Sequence, residues 1–238
     1  MSITLSRRSL VSMLAVCPLC AAADAAEPFV CVPGKEQSPI DLSGAREQTV
    51  KEAIEIHYNI SDATMKRVGE SFKLYPKNGG YIKIDGDRYD LYEFHFHHPA
   101  EHKLSGSQHP MECHFVNKKD KQYAVVGVFL RRGAPNPTIG AIWQNLPPPD
   151  DSNGTALIGI NPRPLLPEKL DGPLYRYKGS LTTAPFPAPE GLIWSVYQKP
   201  VEVSPSQIAA YQCMYPPNAR PVQAPNGRPI QLLKVGPA

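Results

Sequence analysis

Apolar and polar side chains alternate with a period of two residues along much of this chain, which has 238 residues. That period is typical of β-strands with one buried face. It predicts strands at 54–58, 81–84, 89–97, 111–116, 123–130 and 192–196. The segment 123–130 is apolar on both faces, as expected of a central strand. Gly79-Gly80 and Asp85-Gly86-Asp87 predict turns between strands.

Helical patterns are short and few. The sequence predicts one helix near 139–144 and another at 204–213, where Ser204 suits the N-cap and Pro205 the first helical position. No internal repeat is visible. The predicted fold class is therefore β-rich α+β, a single domain built on a large, twisted, mainly antiparallel central sheet with short peripheral helices.

Composition and charge narrow the functional classes. Charged residues make up 20% and hydrophobic residues 42% of the chain, which indicates a globular protein rather than a disordered one. The net charge is only +3, with no long basic run, so no nucleic-acid partner is expected. Prolines cluster at 147–149 and 185–189, where we predict rigid surface loops.

The segment 1–25 has the pattern of an export signal. Arg7 and Arg8 form its basic region, 10–19 its apolar core, which is too short to span a bilayer, and 23–25 an A-x-A cleavage site. The paired arginines fit both the bacterial twin-arginine route and the general export route. Residues 26–238 are thus expected to be the mature domain, periplasmic or secreted, with no membrane attachment after cleavage.

Three of the five cysteines, Cys31, Cys113 and Cys213, follow the predicted cleavage site. Cys113 is predicted to be a buried free thiol. Cys31 and Cys213 either form a disulfide in an oxidising compartment or both stay reduced, because the sequence does not supply the geometry of a bridge.

Candidate chemistry concentrates on the strand at 89–97. Alternate side chains of a strand share a face, so Glu93, His95 and His97 point the same way. His114, two residues after Glu112, adds a third imidazole on the next predicted strand. Three such nitrogens predict a zinc site whose fourth position is open to water, as in catalytic zinc centres. The alternative is a set of polar residues on a half-buried strand.

Several motifs, in the same order along roughly residues 31–232, resemble those of the α-class carbonic anhydrases, here of an exported bacterial kind. They are QSPI at 37–40, YEFHFH at 92–97, AEH at 100–102, PMECHFV at 110–116, GSLTT at 179–183 followed by Trp194, and NARPVQ at 218–223.

The resemblance implies that His95, His97 and His114 bind Zn²⁺ as the cofactor and that the chain is a carbonate dehydratase. In that reaction a zinc-bound hydroxide reversibly hydrates CO₂ to bicarbonate and a proton. The zinc ion of carbonic anhydrases is the standard example of a metal that lowers the pKa of its bound water to about 7. Glu93 and Glu112 would orient the ligands His95 and His114 from behind.

The same resemblance implies the substrate side of the site. Thr182 would accept the proton of the hydroxide and donate its own to Glu101, which must be ionised to act only as an acceptor. CO₂ is small and apolar, so it needs an apolar wall beside the metal, with Thr183 on the polar side. That wall is implied at residues that composition alone would assign to ordinary core: Val116, Val125, Leu181 and Trp194.

The chain departs from the family pattern at the proton exit, the residue that carries the released proton from the site to solvent. Glu70 stands where the family has a shuttle histidine, in an alignment that rests on Gly69 and Phe72. Passing a proton from a group of pKa about 7 to an ordinary glutamate is uphill by about 3.7 kcal/mol, whereas passing it to histidine is nearly isoenergetic. The sequence therefore predicts a weak or non-standard proton shuttle. A catalytically weak zinc-binding relative is the alternative function.

Two further departures concern the surroundings of the zinc site. Glu93 replaces the glutamine that the family usually has, which puts negative charge near the metal. Only eleven residues, 26–36, precede the QSPI motif in the expected mature chain, fewer than the family usually carries.

Overall fold

A sheet of twelve strands dominates the part of the chain that this computed structural model describes, residues 34–69, 71–146 and 154–236. The strands are β1 Arg46–Val50, β2 Glu55–Tyr58, β3 Ser61–Val68, β4 Ser71–Pro76, β5 Gly80–Ile84, β6 Asp87–His97, β7 Met111–Lys119, β8 Gln122–Arg132, β9 Thr155–Ile160, β10 Leu174–Ser180, β11 Glu190–Val203 and β12 Gln231–Val235. The same residues form helices α1 Pro137–Trp143 and α2 Pro205–Met214 and a 3-10 turn at Arg163–Leu165.

Most neighbouring strands of the sheet are antiparallel. The strand order is β1-β12-β10-β11-β8-β7-β6-β4-β3-β9, with β5 paired to β6 and β2 to β5. The pairs β1 with β12 and β8 with β11 are parallel, and the other pairs are antiparallel. This arrangement confirms the predicted fold class, and the position of β8 between β7 and β11 confirms 123–130 as a central strand.

The turn between β5 and β6 follows directly from its sequence. Asp85 and Gly86 have φ of 53° and 84°, and Ile84 pairs with Asp87 across this two-residue hairpin. Positive φ at both central residues is the type I′ turn, which the Asp-Gly pair favours. The predicted turn therefore sets the start of β6, the strand that carries two of the three imidazoles.

Buried side chains of the central strands separate into two apolar clusters. Phe94 and Phe96 belong to the cluster that also includes residues of α1 and α2. Val116, Val125 and Trp194 belong to the second cluster. Because neighbouring residues of a strand point to opposite faces, the polar residues that alternate with the phenylalanines lie on the side of the second cluster.

Side-chain caps fix where both helices begin. The Ser204 side chain accepts the backbone N–H of Gln207, and the Gln207 side chain bonds back to the backbone of Ser204, with Pro205 in the first turn. This confirms the predicted start of α2. Asn136 caps α1 by accepting the backbone N–H of Thr138.

Some predictions fall outside the described residues: the export signal at 1–25, Cys31, Glu70 and the proline run at 147–149. Cys113 is a buried free thiol, as predicted, and Cys213 is an exposed free thiol. The proline-rich segment 185–189 is irregular and mostly exposed, which confirms a surface loop there. No helix among the described residues is both long enough and apolar enough to traverse a membrane.

Candidate metal centre

The pairing register of β6 and β7 brings three imidazoles together. His95 lies directly opposite His114, and His97 follows on the same face of β6. Ring centroids are 5.3 Å apart for His95 and His114 and 4.7 Å apart for His97 and His114. All three side chains are buried, and one ring nitrogen from each lies within 4.8 Å of the others. The residues predicted as zinc ligands therefore form one cluster.

Hydrogen bonds determine which nitrogens of His95 and His97 are free. Nδ1 of His95 lies 2.8 Å from Oε2 of Glu93, and Nδ1 of His97 lies 3.3 Å from the carbonyl oxygen of Asn218. Both partners are acceptors, so each Nδ1 carries a hydrogen, and in the neutral tautomer that metal ligation uses each Nε2 presents a lone pair. These two Nε2 atoms are only 3.1 Å apart. Two lone pairs that face each other so closely call for a cation between them.

The donor set fits Zn²⁺. Tetrahedral zinc with Zn–N bonds of about 2.0–2.1 Å places its ligand nitrogens about 3.4 Å apart, close to the separation between His95 and His97. One buried atom beside the cluster, Oε2 of Glu101, has no hydrogen-bond partner within the described chain. Oε2 of Glu101 lies 3.5 Å from Nε2 of His97 and 3.8 Å from Nδ1 of His114. An unsatisfied carboxylate oxygen next to free imidazole nitrogens is a favourable surrounding for a cation.

Burial keeps the imidazoles of His97 and His114 in the form that metal ligation requires. It lowers the pKa of His114 to about 4. Burial, together with the neighbouring His114 and His95, holds the pKa of His97 well below its ordinary value. Both rings are therefore unprotonated at neutral pH, and a metal ion need not displace a proton from them.

Glu93 holds His95 and is itself held by a lysine. Its Oε1 lies 2.9 Å from Nζ of Lys73, while its Oε2 lies 2.8 Å from Nδ1 of His95. Burial raises the pKa of Glu93, but His95 and Lys73 outweigh burial, and the pKa lies below its ordinary value. Lys73 comes from β4, where it pairs with His95 across the strands. The carboxylate that replaces the family's amide is thus part of an ion pair.

Glu112 belongs to a second buried network of hydrogen bonds. Its Oε1 is 2.8 Å from Nδ1 of His102 and 3.0 Å from Nε2 of His114. Its Oε2 accepts the backbone N–H groups of Glu101 and His102. Burial opposes the ionisation of Glu112, but His102 and His114 bring its pKa well below the ordinary value. The network continues from Nε2 of His102 to the hydroxyl of Tyr177, 2.6 Å away. Glu112 therefore contacts His114 directly.

Glu101 lies between the imidazole cluster and the loop of Thr182. Its Oε1 accepts the backbone N–H of Arg220 at 2.8 Å. Burial raises the pKa of Glu101 to about 8, an effect that the hydroxyl of Thr182 and the backbone of Arg220 offset only in part. The ionised form that its predicted role requires therefore depends on a cation nearby, such as a metal at the adjacent imidazoles.

A cleft above the imidazoles has one apolar and one polar side. It is lined by His95 and His114 together with the residues predicted to contact substrate: Val116, Val125, Leu181, Thr182, Thr183 and Trp194. Val116, Val125 and Trp194 are also part of the second apolar cluster. Core packing and a substrate wall are therefore compatible roles for these side chains. Thr183 is exposed.

The cleft has no spare histidine. All seven histidines lie in the described part of the chain, and only His95 and His114 line the cleft. The four histidines outside the predicted ligand set lie elsewhere: His57, His98, His102 and His109. Glu70, the residue at the shuttle position, is not among the described residues.

Three residues that contact the ligands or their partners were not predicted from the sequence. Asn218 and His102 lie inside motifs of the family, NARPVQ and AEH, so the motifs were the available signal. Lys73 has no such signal. It lies on β4, which no alternation predicted, and only the pairing of β4 with β6 reveals its place beside His95.

Comparison with known proteins decides the family. The profile of the eukaryotic-type carbonic anhydrases matches residues 24–235. The chain belongs to this family, the α-class carbonic anhydrases. A carbonic anhydrase of Nostoc sp. is 36% identical over 208 residues, which cover 84% of this chain and 76% of that protein. A carbonic anhydrase of Pectobacterium carotovorum is 32% identical over 203 residues, covering 84% and 81%.

Solved structures agree with this assignment. A hyperthermostable carbonic anhydrase from an active hydrothermal vent chimney gives a TM-score of 0.77 at 39% identity, covering 84% of this chain and 88% of that one. The α-carbonic anhydrase of Thermovibrio ammonificans, solved with the inhibitor sulfanilamide, gives 0.71 at 38% identity, with the same coverage of 84% and 88%. This carbonic anhydrase is therefore an enzyme of CO₂ hydration, as its sequence motifs predicted.

Proposed function

We propose that this carbonic anhydrase interconverts CO₂ and bicarbonate by means of a Zn²⁺ ion held by His95, His97 and His114. The observation that carries the proposal is the pair of Nε2 atoms 3.1 Å apart, each in a ring whose Nδ1 already has an acceptor. When bound in such a site, zinc lowers the pKa of a coordinated water to about 7 and supplies a nucleophile at neutral pH.

Acceptors behind the imidazoles fix the ligand atoms before a metal arrives. Partners of this kind select the tautomer of a ligating histidine and hold its ring orientation. The pairs are Glu93 with His95, the carbonyl of Asn218 with His97, and Glu112 with His114. Because the nitrogens already converge, ligation requires little rearrangement of the chain.

Thr182 and Glu101 orient the attacking oxygen. Thr182 accepts a hydrogen bond from the nucleophile and donates its own hydrogen to Glu101, so that a lone pair of the nucleophile faces the substrate. This order requires an ionised Glu101. Support comes from the 3.5 Å between Oε2 of Glu101 and Nε2 of His97, since a divalent cation at the imidazoles would favour the carboxylate strongly.

The apolar side of the cleft binds CO₂. A small apolar molecule is held by excluding water rather than by hydrogen bonds, and Val116, Val125 and Trp194 supply a dry surface next to His114. Leu181 extends that surface, and Thr183 offers a hydroxyl on the polar side for the charged product.

Proton release is the slow part of this reaction. None of the histidines free of the ligand cluster lines the cleft. The residue at the shuttle position, Glu70, is a carboxyl group, whose ordinary pKa makes it a poor acceptor for a proton released near pKa 7. We therefore propose that buffer molecules carry most of the proton flux.

Residues 1–25 act as an export signal, and residues 26–238 are the mature periplasmic or secreted domain. The support is the sequence pattern of basic pair, short apolar core and A-x-A site. Expression of the full chain in a bacterium, followed by N-terminal sequencing of the exported protein, tests this. A mature chain that begins at Ala26 supports it, and an uncleaved chain retained in the cytoplasm contradicts it.

Metal analysis and CO₂ hydration by His114→Ala test the zinc site. Wild type should hold about one zinc ion per chain, and the folded variant should lose most zinc affinity and hydration. His57→Ala is the matched control, because His57 is exposed and does not line the cleft. Undiminished zinc and activity in His114→Ala contradict the ligand assignment. Stoichiometric zinc in wild type without hydration indicates the alternative function, a catalytically weak zinc-binding relative.

A further inference from the structure

A lysine stands behind the first ligand strand and takes no part in the mechanism above. Nζ of Lys73 lies 2.9 Å from Oε1 of Glu93, whose Oε2 lies 2.8 Å from Nδ1 of His95. We propose that Lys73 is a positioning residue of the metal centre, which acts through Glu93 to hold the His95 imidazole in its ligating orientation. The inference rests on the proposed zinc site.

Strand pairing places Lys73 beside the ligand. β4 pairs with β6 through Lys73 with His95 and Leu74 with Phe94. Paired residues of neighbouring strands point to the same face of a sheet, so Lys73 lies on the imidazole face, while Leu74 and Phe94 enter the first apolar cluster. Lys73 lines the cleft, and its side chain is only 21% exposed. Its position is therefore set by the sheet and not by a loop.

Two partners fix the plane of the Glu93 carboxylate. Each oxygen has one of them, Lys73 on Oε1 and His95 on Oε2. With His95 alone, the carboxylate could rotate about its last carbon–carbon bond, and the acceptor for Nδ1 would move with it. Partners that restrain such rotation keep a ligand within the narrow range of orientations that metal binding needs.

Lys73 also balances the negative charge of the buried Glu93 carboxylate. The side chain of Glu93 is 3% exposed, and a buried carboxylate whose cationic partner is removed is strongly destabilised. His95 is neutral when it ligates through Nε2, so it does not balance the charge. A glutamine at position 93 would accept from His95 through its amide oxygen and would need no cation. Glu93 and Lys73 therefore function as a pair.

A double-mutant cycle on zinc affinity tests the proposal. Affinity is measured by competition with a metal chelator, and the absorption spectrum of the Co²⁺-loaded protein reports ligand geometry. We expect Lys73→Met to weaken zinc binding about tenfold or more, as the loss of outer partners of metal ligands does. Glu93→Gln alone leaves the positive charge of Lys73 without an anionic partner and should also weaken zinc binding. The double variant has no unbalanced charge and should return to within about threefold of wild type.

A matched control and a second variant complete the test. Lys83→Met should leave zinc affinity unchanged, because Lys83 pairs with Glu55 at 3.2 Å and does not line the cleft. If Lys73→Met does not fold, Lys73→Gln, which keeps a neutral donor, takes its place in the cycle.

Several outcomes would overturn the proposal. A purely structural role would lower the melting temperature of metal-free Lys73→Met but leave zinc affinity and the Co²⁺ spectrum unchanged. Tighter zinc binding by Lys73→Met, or strictly additive effects in the double variant, would also contradict it. A wild-type chain that binds no zinc contradicts the zinc site itself. Zinc binding by wild type that is insensitive to Lys73 contradicts the positioning role alone.

Discussion

Glu93 puts a full negative charge 2.8 Å from Nδ1 of His95, where an amide could make the same hydrogen bond. A buried carboxylate is stable only when a cation lies close to it, and Nζ of Lys73, at 2.9 Å, is such a cation. The two residues together are nearly neutral toward the metal centre, and either one alone is not. The effect of a single substitution at this scale is therefore governed by the charge that it leaves unpaired.

Glu93→Gln should lower the pH midpoint of CO₂ hydration. The substitution removes a negative charge and leaves that of Lys73 unbalanced, so the deprotonated, active form of the centre becomes easier to reach. The pH–rate profile of the zinc-loaded variant measures this shift, for which we expect several tenths of a pH unit. The double variant Lys73→Met/Glu93→Gln should lie near wild type. An unchanged midpoint in Glu93→Gln would count against the charge effect.

Glu101 should make the metal-free protein sensitive to alkali. Burial raises its pKa from 4.5 to about 8, so the folded chain keeps a proton that the unfolded chain releases between these values. The stability from this proton is fully present below the unfolded pKa and is lost as pH rises through the folded pKa.

The matched comparison for Glu101 is Glu101→Gln, which cannot titrate. In the metal-free proteins, the free energy of unfolding of wild type relative to the variant should fall between about pH 5 and pH 8. Urea unfolding of both proteins across this range measures the difference. A difference that stays constant with pH would show that Glu101 does not retain its proton in the folded state.

The elements that carry the ligands are those whose sequence pattern is clearest. β6 and β7 alternate because one face packs into the core and the other carries the site, and their adjacency gives the three-histidine cluster. β1 is exposed along almost its whole length, so no apolar period marks it. β11 continues beyond the predicted end at 196, because Pro200 falls within an irregularity of its pairing to β8 rather than in a regular ladder.

Two glycines provide a test at the scale of elements, one at the first position of β5 and one in the turn that follows it. Both Gly80 and Gly86 have positive φ, at 85° and 84°. A Cβ at Gly86 meets nothing, so Gly86→Ala should cost only the backbone strain, about 1 kcal/mol. A Cβ at Gly80 would collide with the carbonyl oxygen of His57 on β2, so Gly80→Ala should cost clearly more. Urea unfolding of both variants measures this; equal costs would contradict the close approach of β2 and β5.

At the scale of the whole molecule, the three-histidine cluster could be predicted from the sequence, whereas the place of Lys73 and the raised pKa of Glu101 could not. The ligands and their acceptors lie in motifs shared with the family, and the pairing of β6 with β7 explains their convergence. Lys73 depends on the pairing of β4 with β6, a contact between segments that sequence alternation does not specify. The raised pKa of Glu101 depends on burial, which only the assembled fold determines.

The catalytic zinc site proposed for this protein lacks an efficient proton shuttle. Stopped-flow CO₂ hydration by the zinc-loaded enzyme, over a series of imidazole-type buffer concentrations, is the most direct test of this proposal. At saturating CO₂, the rate should rise strongly with buffer concentration and then level off, because buffer replaces the missing histidine as proton acceptor. Rates that do not depend on buffer would contradict the incomplete proton exit. Hydration no faster than background at every buffer concentration would contradict the catalytic zinc centre itself.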